Sequence, residues 1–384
     1  MENRSRAVFG GHQGYQGHGA HTDRRCYCSR SSKHDNSRLA ELYNNNYIIH
    51  DVSPSVCLEC GQRVDGSYLC GLCNMPMCSE ACQVGSTHYN ECQVLRTLKQ
   101  KISVKNYQDT ESPIYQCITP LRLLMKKNTH PKWFRRLVFL MDHKEEREQE
   151  TNMWNDHQKN VVDFLLSTCG LNFTKEDVMW AIGLLKTNSI MFGDEKSRAL
   201  FPIFSLINHS CVANAKHTIY IKNRRISVQA QTDIKQGEEI VINYTTFIMG
   251  TAPRRKKLLR NWYFSCSCAR CRDPTELGSH LSSLVCPKCE LAVTQSDPLD
   301  PESPWRCPRH SFTFSAQHVA SLVTDLRQHF LSLVWQLALS AGHQISLIFF
   351  ILGAGQVHNS GQDGGRAQNV LLISPSNPSS YDDH

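Results

Sequence analysis

Apolar and polar residues fall into different rhythms along the chain, and each rhythm predicts a different element. Residues 1–46 are rich in Gly, His, Ser, Asn and Arg without a clear period, which predicts a disordered, atypical N-terminus. Tyr47-Ile48-Ile49 is the one strand-like fragment before the first cysteine block. Between 93 and 186 apolar positions recur at helical spacing, most clearly in Val161–Leu166 and Val178–Leu185. From 203 to 244 the pattern turns to strands. His217–Ile221 and Ile226–Ala230 flank the polar turn Lys222–Arg225, and Glu239–Tyr244 forms a third strand. Leu331–Leu352 is apolar over a bilayer-spanning length, but Gln336, His343 and Gln344 near its middle are costly in lipid. A buried helix pair broken at Gly342 is therefore expected there, with disorder from Gly353 onward. These rhythms predict an α+β chain.

The chain has 384 residues, 40% of them apolar, enough for two or three domains with a hydrophobic core. Its 18 cysteines change the picture more. Met1–Gly10 contains no apolar signal core, so cytoplasm and nucleus are the expected compartments. Thiols stay reduced there, and paired cysteines bind metal rather than each other. A formal charge of +7 suggests nucleic acid until metal is counted. Fourteen candidate thiolates and four zinc ions would bring it to about +1, so no direct nucleic-acid contact is expected.

The first cysteine block runs Cys57-x2-Cys60-x9-Cys70-x2-Cys73-x4-Cys78-x3-Cys82-x5-His88-x3-Cys92. Two C-x2-C pairs can each wrap a metal from a tight turn, and Cys78/Cys82 and His88/Cys92 share helical faces at i, i+4. Eight ligands suit two tetrahedral zinc sites, and so short a segment is expected to draw its folding energy from metal. The pattern resembles the MYND finger in full. The resemblance implies interleaved sites: Cys57, Cys60, Cys78 and Cys82 on one zinc, and Cys70, Cys73, His88 and Cys92 on the other. It also implies a protein partner, often a proline-rich peptide. A further set, Cys286-x2-Cys289 with Cys307-x2-His310, reads as Cys3His ligation of one more zinc.

Leu206-Ile207-Asn208-His209-Ser210-Cys211 precedes Asn214, Gly237-Glu238-Glu239-Ile240, Tyr244 and Cys266-x-Cys268-x2-Cys271. Singly these are weak, since an Asn-His pair is commonly a satisfied core group and a strand tyrosine commonly packing. In this order they resemble the SET domain with its post-SET zinc loop. The finger upstream and the helical insert narrow the resemblance to the SET-and-MYND (SMYD) family of protein-lysine methyltransferases, over roughly residues 47–310. It implies a zinc-stabilised SET β-fold split by the finger and a helical insert. The expected order is a remnant SET strand at 47–56, finger at 57–92, insert at 93–200 and SET core at 201–246. A post-SET loop at 247–272, a second zinc ribbon at 273–310, a helical tail at 311–352 and disorder at 353–384 complete it. Similar ribbons occur in arthropod members, usually ending in Cys where this chain has His310.

The resemblance further implies that Asn188, Asn208, His209 and Phe264 hold S-adenosylmethionine, that Tyr244 is catalytic, and that Cys211 completes a zinc site with Cys266, Cys268 and Cys271. The zincs would be structural. The expected reaction is transfer of a methyl group to a lysine of a histone or other protein by a monomeric enzyme, with no membrane partner. A catalytically silent adaptor acting through the finger is the alternative. It is motivated by the N-terminus, where the family's Gly-x-Gly turn and alternating strands find only Gly17-His18-Gly19 in a polar, basic context. Cys26 and Cys28 receive no role, Cys117 and Cys169 read as buried thiols, and Pro253–Lys257 reads as the solvated start of a helix.

Overall fold

The computed structural model describes residues 7–9, 26–28, 38–43, 47–49, 55–99, 102, 114–191, 197–220, 225–311 and 313–341. The chain divides into two units, Met1–Tyr244 with Leu258–Phe264, and Thr245–Lys257 with Ser265–His384.

In the first unit, β1 (Ala7–Phe9) pairs antiparallel with β2 (Cys26–Cys28). Strand β3 (Arg38–Tyr43) runs along a later strand, and β4 (Tyr47–Ile49) joins β5 (Ile190–Met191) and β6 (Ser197–Ala199) in the order β4-β6-β5. Strand β7 (Asn208–His209) pairs in parallel with β10 (Val241–Ile242). Between them β8 (Ala215–Tyr220) and β9 (Arg225–Ala230) form the expected hairpin, with Tyr220 opposite Arg225. The third expected strand is shorter than its pattern, because only Val241 and Ile242 find partners.

The expectation of disorder up to residue 46 is corrected at β1, β2 and β3. The sheet order is β3-β9-β8, so Arg38–Tyr43 covers the edge of β9. A register shift between Arg38 and Ala40 breaks the two-residue period there, and this hides the strand from a search for alternation. Cys26 and Cys28, which carried no assignment, lie within a paired strand. Gly17-His18-Gly19 lies outside the described residues.

The helical insert forms as its apolar spacing predicts. Helix Lys175–Asn188 starts at a capping box in which Thr174 Oγ1 accepts from the Asp177 amide and Asp177 accepts from the Thr174 amide. Its buried face, Val178, Ala181, Ile182 and Leu185, meets Leu121 and Leu124 of helix Ile114–Thr129. Gly183 leaves no room for a side chain, since a Cβ there would lie 2.5 Å from the backbone oxygen of Asp142. The stretch containing Val161–Leu166 winds as π-helix over Gln158–Val162 and Phe164–Thr168. That wider turn places Val161, Val162 and Leu165 together inside.

The cysteine-rich stretch 55–99 does not pack by itself. Leu58, Met75 and Met77 share one core with Ile226, Val228, Ile240 and Ile242. Burial of each such side chain contributes about 1.5–3 kcal/mol. Two side chains of helix Ile114–Thr129 lock it. Tyr115 Oη donates to Val56 O at 2.8 Å and accepts from Val56 N at 3.0 Å. Arg122 donates to Leu58 O at 2.5 Å and, through Nε, to Glu91 Oε1 at 3.0 Å. The expectation that metal alone supplies this segment's folding energy is thereby corrected, because the tertiary contacts add to it.

Pro253–Lys257, which belongs to the second unit, does begin a helix, Thr251–Trp262. It is not wholly solvated, since Arg254 is fully buried against Glu276, with Arg270 on the same carboxylate. A four-stranded antiparallel ribbon follows: β11 (Leu284–Val285), β12 (Ala292–Gln295), β13 (Trp305–Arg306) and β14 (Thr313–Phe314). Ala316–Ala341 is one continuous helix, and the expected break at Gly342 lies outside the described residues. Among the described residues no helix is long and apolar enough to cross a membrane.

Candidate functional site

Within the first unit the structure brings together two interleaved tetrads, Cys57, Cys60, Cys78 and Cys82, and Cys70, Cys73, His88 and Cys92. A third, Cys286, Cys289, Cys307 and His310, forms in the second unit. In each set the ligand atoms all lie within 4.8 Å of one another. A tetrahedral zinc with Zn–S bonds near 2.3 Å requires sulfur–sulfur edges of about 3.8 Å. Cys70 and Cys92 sulfurs are 3.8 Å apart, Cys289 and Cys307 3.6 Å, and Cys60 and Cys78 3.4 Å. The His88 Nε2 and His310 Nδ1 atoms lie 3.6 and 3.5 Å from Cys73 and Cys286 sulfurs. Disulfides would need about 2.05 Å, and these cysteines are all free.

The local electrostatics also fit a cation. Burial and the neighbouring thiolates push Cys73 and Cys78 well above the ordinary thiol range. Burial acts the same way on Cys70, but amide hydrogen bonds from Cys73 and Leu72 and the His88 ring outweigh it and bring that thiol to about 7. Thiolates this crowded cannot all ionise without a positive centre, so the donor sets fit zinc. The His88 Nδ1 lies 3.8 Å from the buried Glu91 carboxylate, and its Nε2 lies on the side of the tetrad.

The second constellation is built where β7 and β10 run in parallel. Asn214 fastens β10 by donating to Glu239 O at 2.8 Å and accepting from Val241 N at 2.9 Å. The Tyr244 amide donates to His209 Nδ1 at 2.9 Å. The proton of a neutral His209 therefore sits on Nε2, which faces Cys211 Sγ at 3.3 Å. Tyr244 Oη donates to Ile207 O at 2.5 Å. The His209 ring lies 5.3 Å from Tyr244 and 6.0 Å from Phe264. Asn208 is exposed and donates to Glu239 Oε1 at 2.8 Å. Asn188 ends its helix with Nδ2 on Met141 O and Leu184 O, while its own carbonyl accepts from Ser205 Oγ at 2.8 Å.

Sequence reading missed Trp262, whose ring lies 5.0 Å from Tyr244. Its spacing of two residues from Phe264 was the available signal. Cys211 belongs to the first unit, and Cys266, Cys268 and Cys271 to the second.

This order of strands and polar groups is that of a SET protein, and the comparisons place it so. The SET domain family model matches residues 19–245, and the chain belongs to that family. Within it the chain is a SMYD-type SET protein, similar to arthropod members. It is 30% identical over 275 residues to SET domain-containing protein SmydA-8, isoform A, of Drosophila melanogaster, covering 66% of this chain and 55% of that protein. N-lysine methyltransferase SMYD2-B of Danio rerio is 26% identical over 226 residues, covering 56% and 50%. Histone-lysine N-methyltransferase Smyd1 of Mus musculus is 23% identical over 282 residues, covering 67% and 55%. The chain thus spans about half the length of the curated relatives it matches.

Proposed function

We propose that this chain is an S-adenosylmethionine-dependent protein-lysine N-methyltransferase acting on histone or other protein substrates. The observation that carries the reading is the convergence of Tyr244, His209, Trp262 and Phe264 beside the exposed Asn208. Relatives named as lysine methyltransferases support it. Asn188, Asn208, His209 and Phe264 would hold the methyl donor, which supplies a methyl group already attached to its leaving group. The exposed Asn208 amide and the aromatic edges of His209 and Phe264 suit a ligand with a polar end and a flat base.

A lysine ammonium has a pKa of about 10.4 in water, so the amine must shed a proton before it attacks. Aromatic walls favour the neutral amine by withholding water. The Tyr244 hydroxyl donates its hydrogen to Ile207 O, so toward an amine N–H its oxygen can serve only as an acceptor. That hydrogen bond turns the nitrogen lone pair along the line of transfer.

A further structural zinc held by Cys266, Cys268 and Cys271 belongs to the same reading. Its support is the Cys-x-Cys-x2-Cys spacing and the Arg254 Nη2 donor aimed at Cys271 Sγ. We assign the block 57–92 as a MYND finger, and a monomer of cytoplasm and nucleus as the working form.

Calorimetric titration of the zinc-loaded chain with S-adenosylmethionine tests the reading. One-site binding that disappears in Asn208→Ala is expected, as is methylation of a cell extract that disappears in Tyr244→Phe. A folded, metal-loaded chain that binds no donor would overturn it. The second reading, an adaptor without catalysis, draws support from Leu72, Val84 and Tyr89, which stand 53%, 76% and 59% exposed within the finger. They offer an apolar surface to a proline-rich peptide. Capture of such a peptide by a chain that binds no donor would favour it.

A further inference from the structure

Residues 262, 263 and 264 divide their side chains between two environments. The Trp262 ring faces Tyr244 and the Phe264 ring faces His209. Tyr263 between them turns elsewhere, with its ring 5.0 Å from that of His143 and its hydroxyl at Lys186 and Glu150. The reversal is made by a left-handed backbone, φ +58° at Tyr263, just past the end of helix Thr251–Trp262. A bulky side chain in that region is strained and persists only where its surroundings over-determine it.

The surroundings do so. Lys186 Nζ donates to Tyr263 Oη at 2.6 Å and to Glu150 Oε2 at 2.7 Å. Tyr263 Oη donates to Glu150 Oε1 at 3.1 Å, which closes a ring of three side chains from distant parts of the chain. Burial and the Glu150 charge hold the Tyr263 phenol well above its usual range, so it stays a proton donor at any working pH. Lys186 lies in the last turn of helix Lys175–Asn188, two residues before Asn188. One polar network thus grips both the segment that carries Trp262 and Phe264 and the helix end that carries Asn188.

We propose that Tyr263, Lys186 and Glu150 are positioning residues that set the aromatic wall and the Asn188 end of the Tyr244–His209 site. The functional consequence, donor affinity, rests on the methyltransferase reading, whereas the placement of the wall does not. None of the three acts on substrate; they act through their neighbours, by fixing rotamers that the site needs already in place.

The test uses the full chain labelled with 5-fluorotryptophan, the Trp262 resonance being assigned by Trp262→Phe. Lys186→Met, Glu150→Gln and Tyr263→Phe are each expected to shift or broaden that resonance in the absence of any ligand. Zinc content and the melting midpoint should stay close to those of the parent. In donor titrations each variant should bind S-adenosylmethionine about five- to tenfold more weakly, the size of a lost side-chain coupling. Lys186→Met with Tyr263→Phe should be no weaker than either alone, as members of one network are non-additive.

A Trp262 signal unmoved by Lys186→Met and Glu150→Gln overturns the proposal, whatever the donor does. A moved signal in a chain that binds no donor supports the positioning role and instead overturns the methyltransferase reading. A moved signal with parental donor affinity overturns the link between this network and the donor pocket.

Discussion

The finger and the ribbon use the same ligand chemistry on opposite balances of metal and packing. The tetrads of 57–92 sit in a core that also holds Ile226, Val228, Ile240 and Ile242, and Tyr115 and Arg122 fasten that stretch from a neighbouring helix. The ribbon β11–β14 has a cluster of its own with few buried members, Leu284, Cys286, Val293, Trp305, Cys307 and Val319, and two of these are ligands. A core that small cannot offset the conformational entropy of its strands, so a metal held by its tetrad would be the main support of the ribbon. In the stretch 57–92 a metal would complete a structure that tertiary packing already favours.

Chelation should produce the largest effect. Amides of 284–314 are expected to lose hydrogen-exchange protection at a chelator concentration about tenfold below that needed for 57–92. Simultaneous loss in both stretches would erase the contrast. Next is the clamp on the finger. Arg122→Met leaves Glu91 buried without its cation, and a loss of about 3–5 kcal/mol is expected in urea unfolding. Arg122→Met with Glu91→Leu should recover much of that, which would separate lost pairing from lost packing. Tyr115→Phe removes both hydrogen bonds to Val56 and should cost about 1–3 kcal/mol by the same measurement. If neither variant loosens zinc at Cys70, Cys73, His88 and Cys92, the clamp supports the fold and not the metal.

The smallest effect is a pH dependence confined to the second unit. Burial raises the Glu276 carboxyl, but hydrogen bonds from Arg254, Ser282 and the Thr251 amide outweigh it and hold it below the ordinary carboxylate range. The unfolded chain therefore binds this proton first as pH falls, at about pH 4.3. The stability that Glu276 contributes is present above that value and is lost as pH drops through the lower folded pKa. Thermal melts from pH 7 to 3 should show a steeper acid limb for the parent than for Glu276→Gln, which starts lower. Parallel acid limbs would mean the buried carboxylate does not carry that slope.

Local patterns were the legible part. The ligand spacing of 57–92, the helix containing Val178–Leu185 and the hairpin around 222–225 could all be read, because each depends on residues a few positions apart. The strand Arg38–Tyr43 was not legible, since its bulge removes the alternation and its support comes from β9. Nor was the burial of Arg254 in a basic run, because its partner Glu276 lies 22 residues away. Trp262 was legible only through its spacing from Phe264, since its partner Tyr244 is distant in sequence.

The order of Cys, His, Asn and Tyr along the chain was enough to assign the class of protein and to propose its chemistry, because ligand type and spacing follow from bonding rules that act over a few residues. Which thiols gather, which rings face His209 and Tyr244, and how Tyr263 is held in a left-handed turn depended on contacts between distant segments. Those contacts are set by burial and pairing energies summed over the whole core, and no local pattern carries that sum.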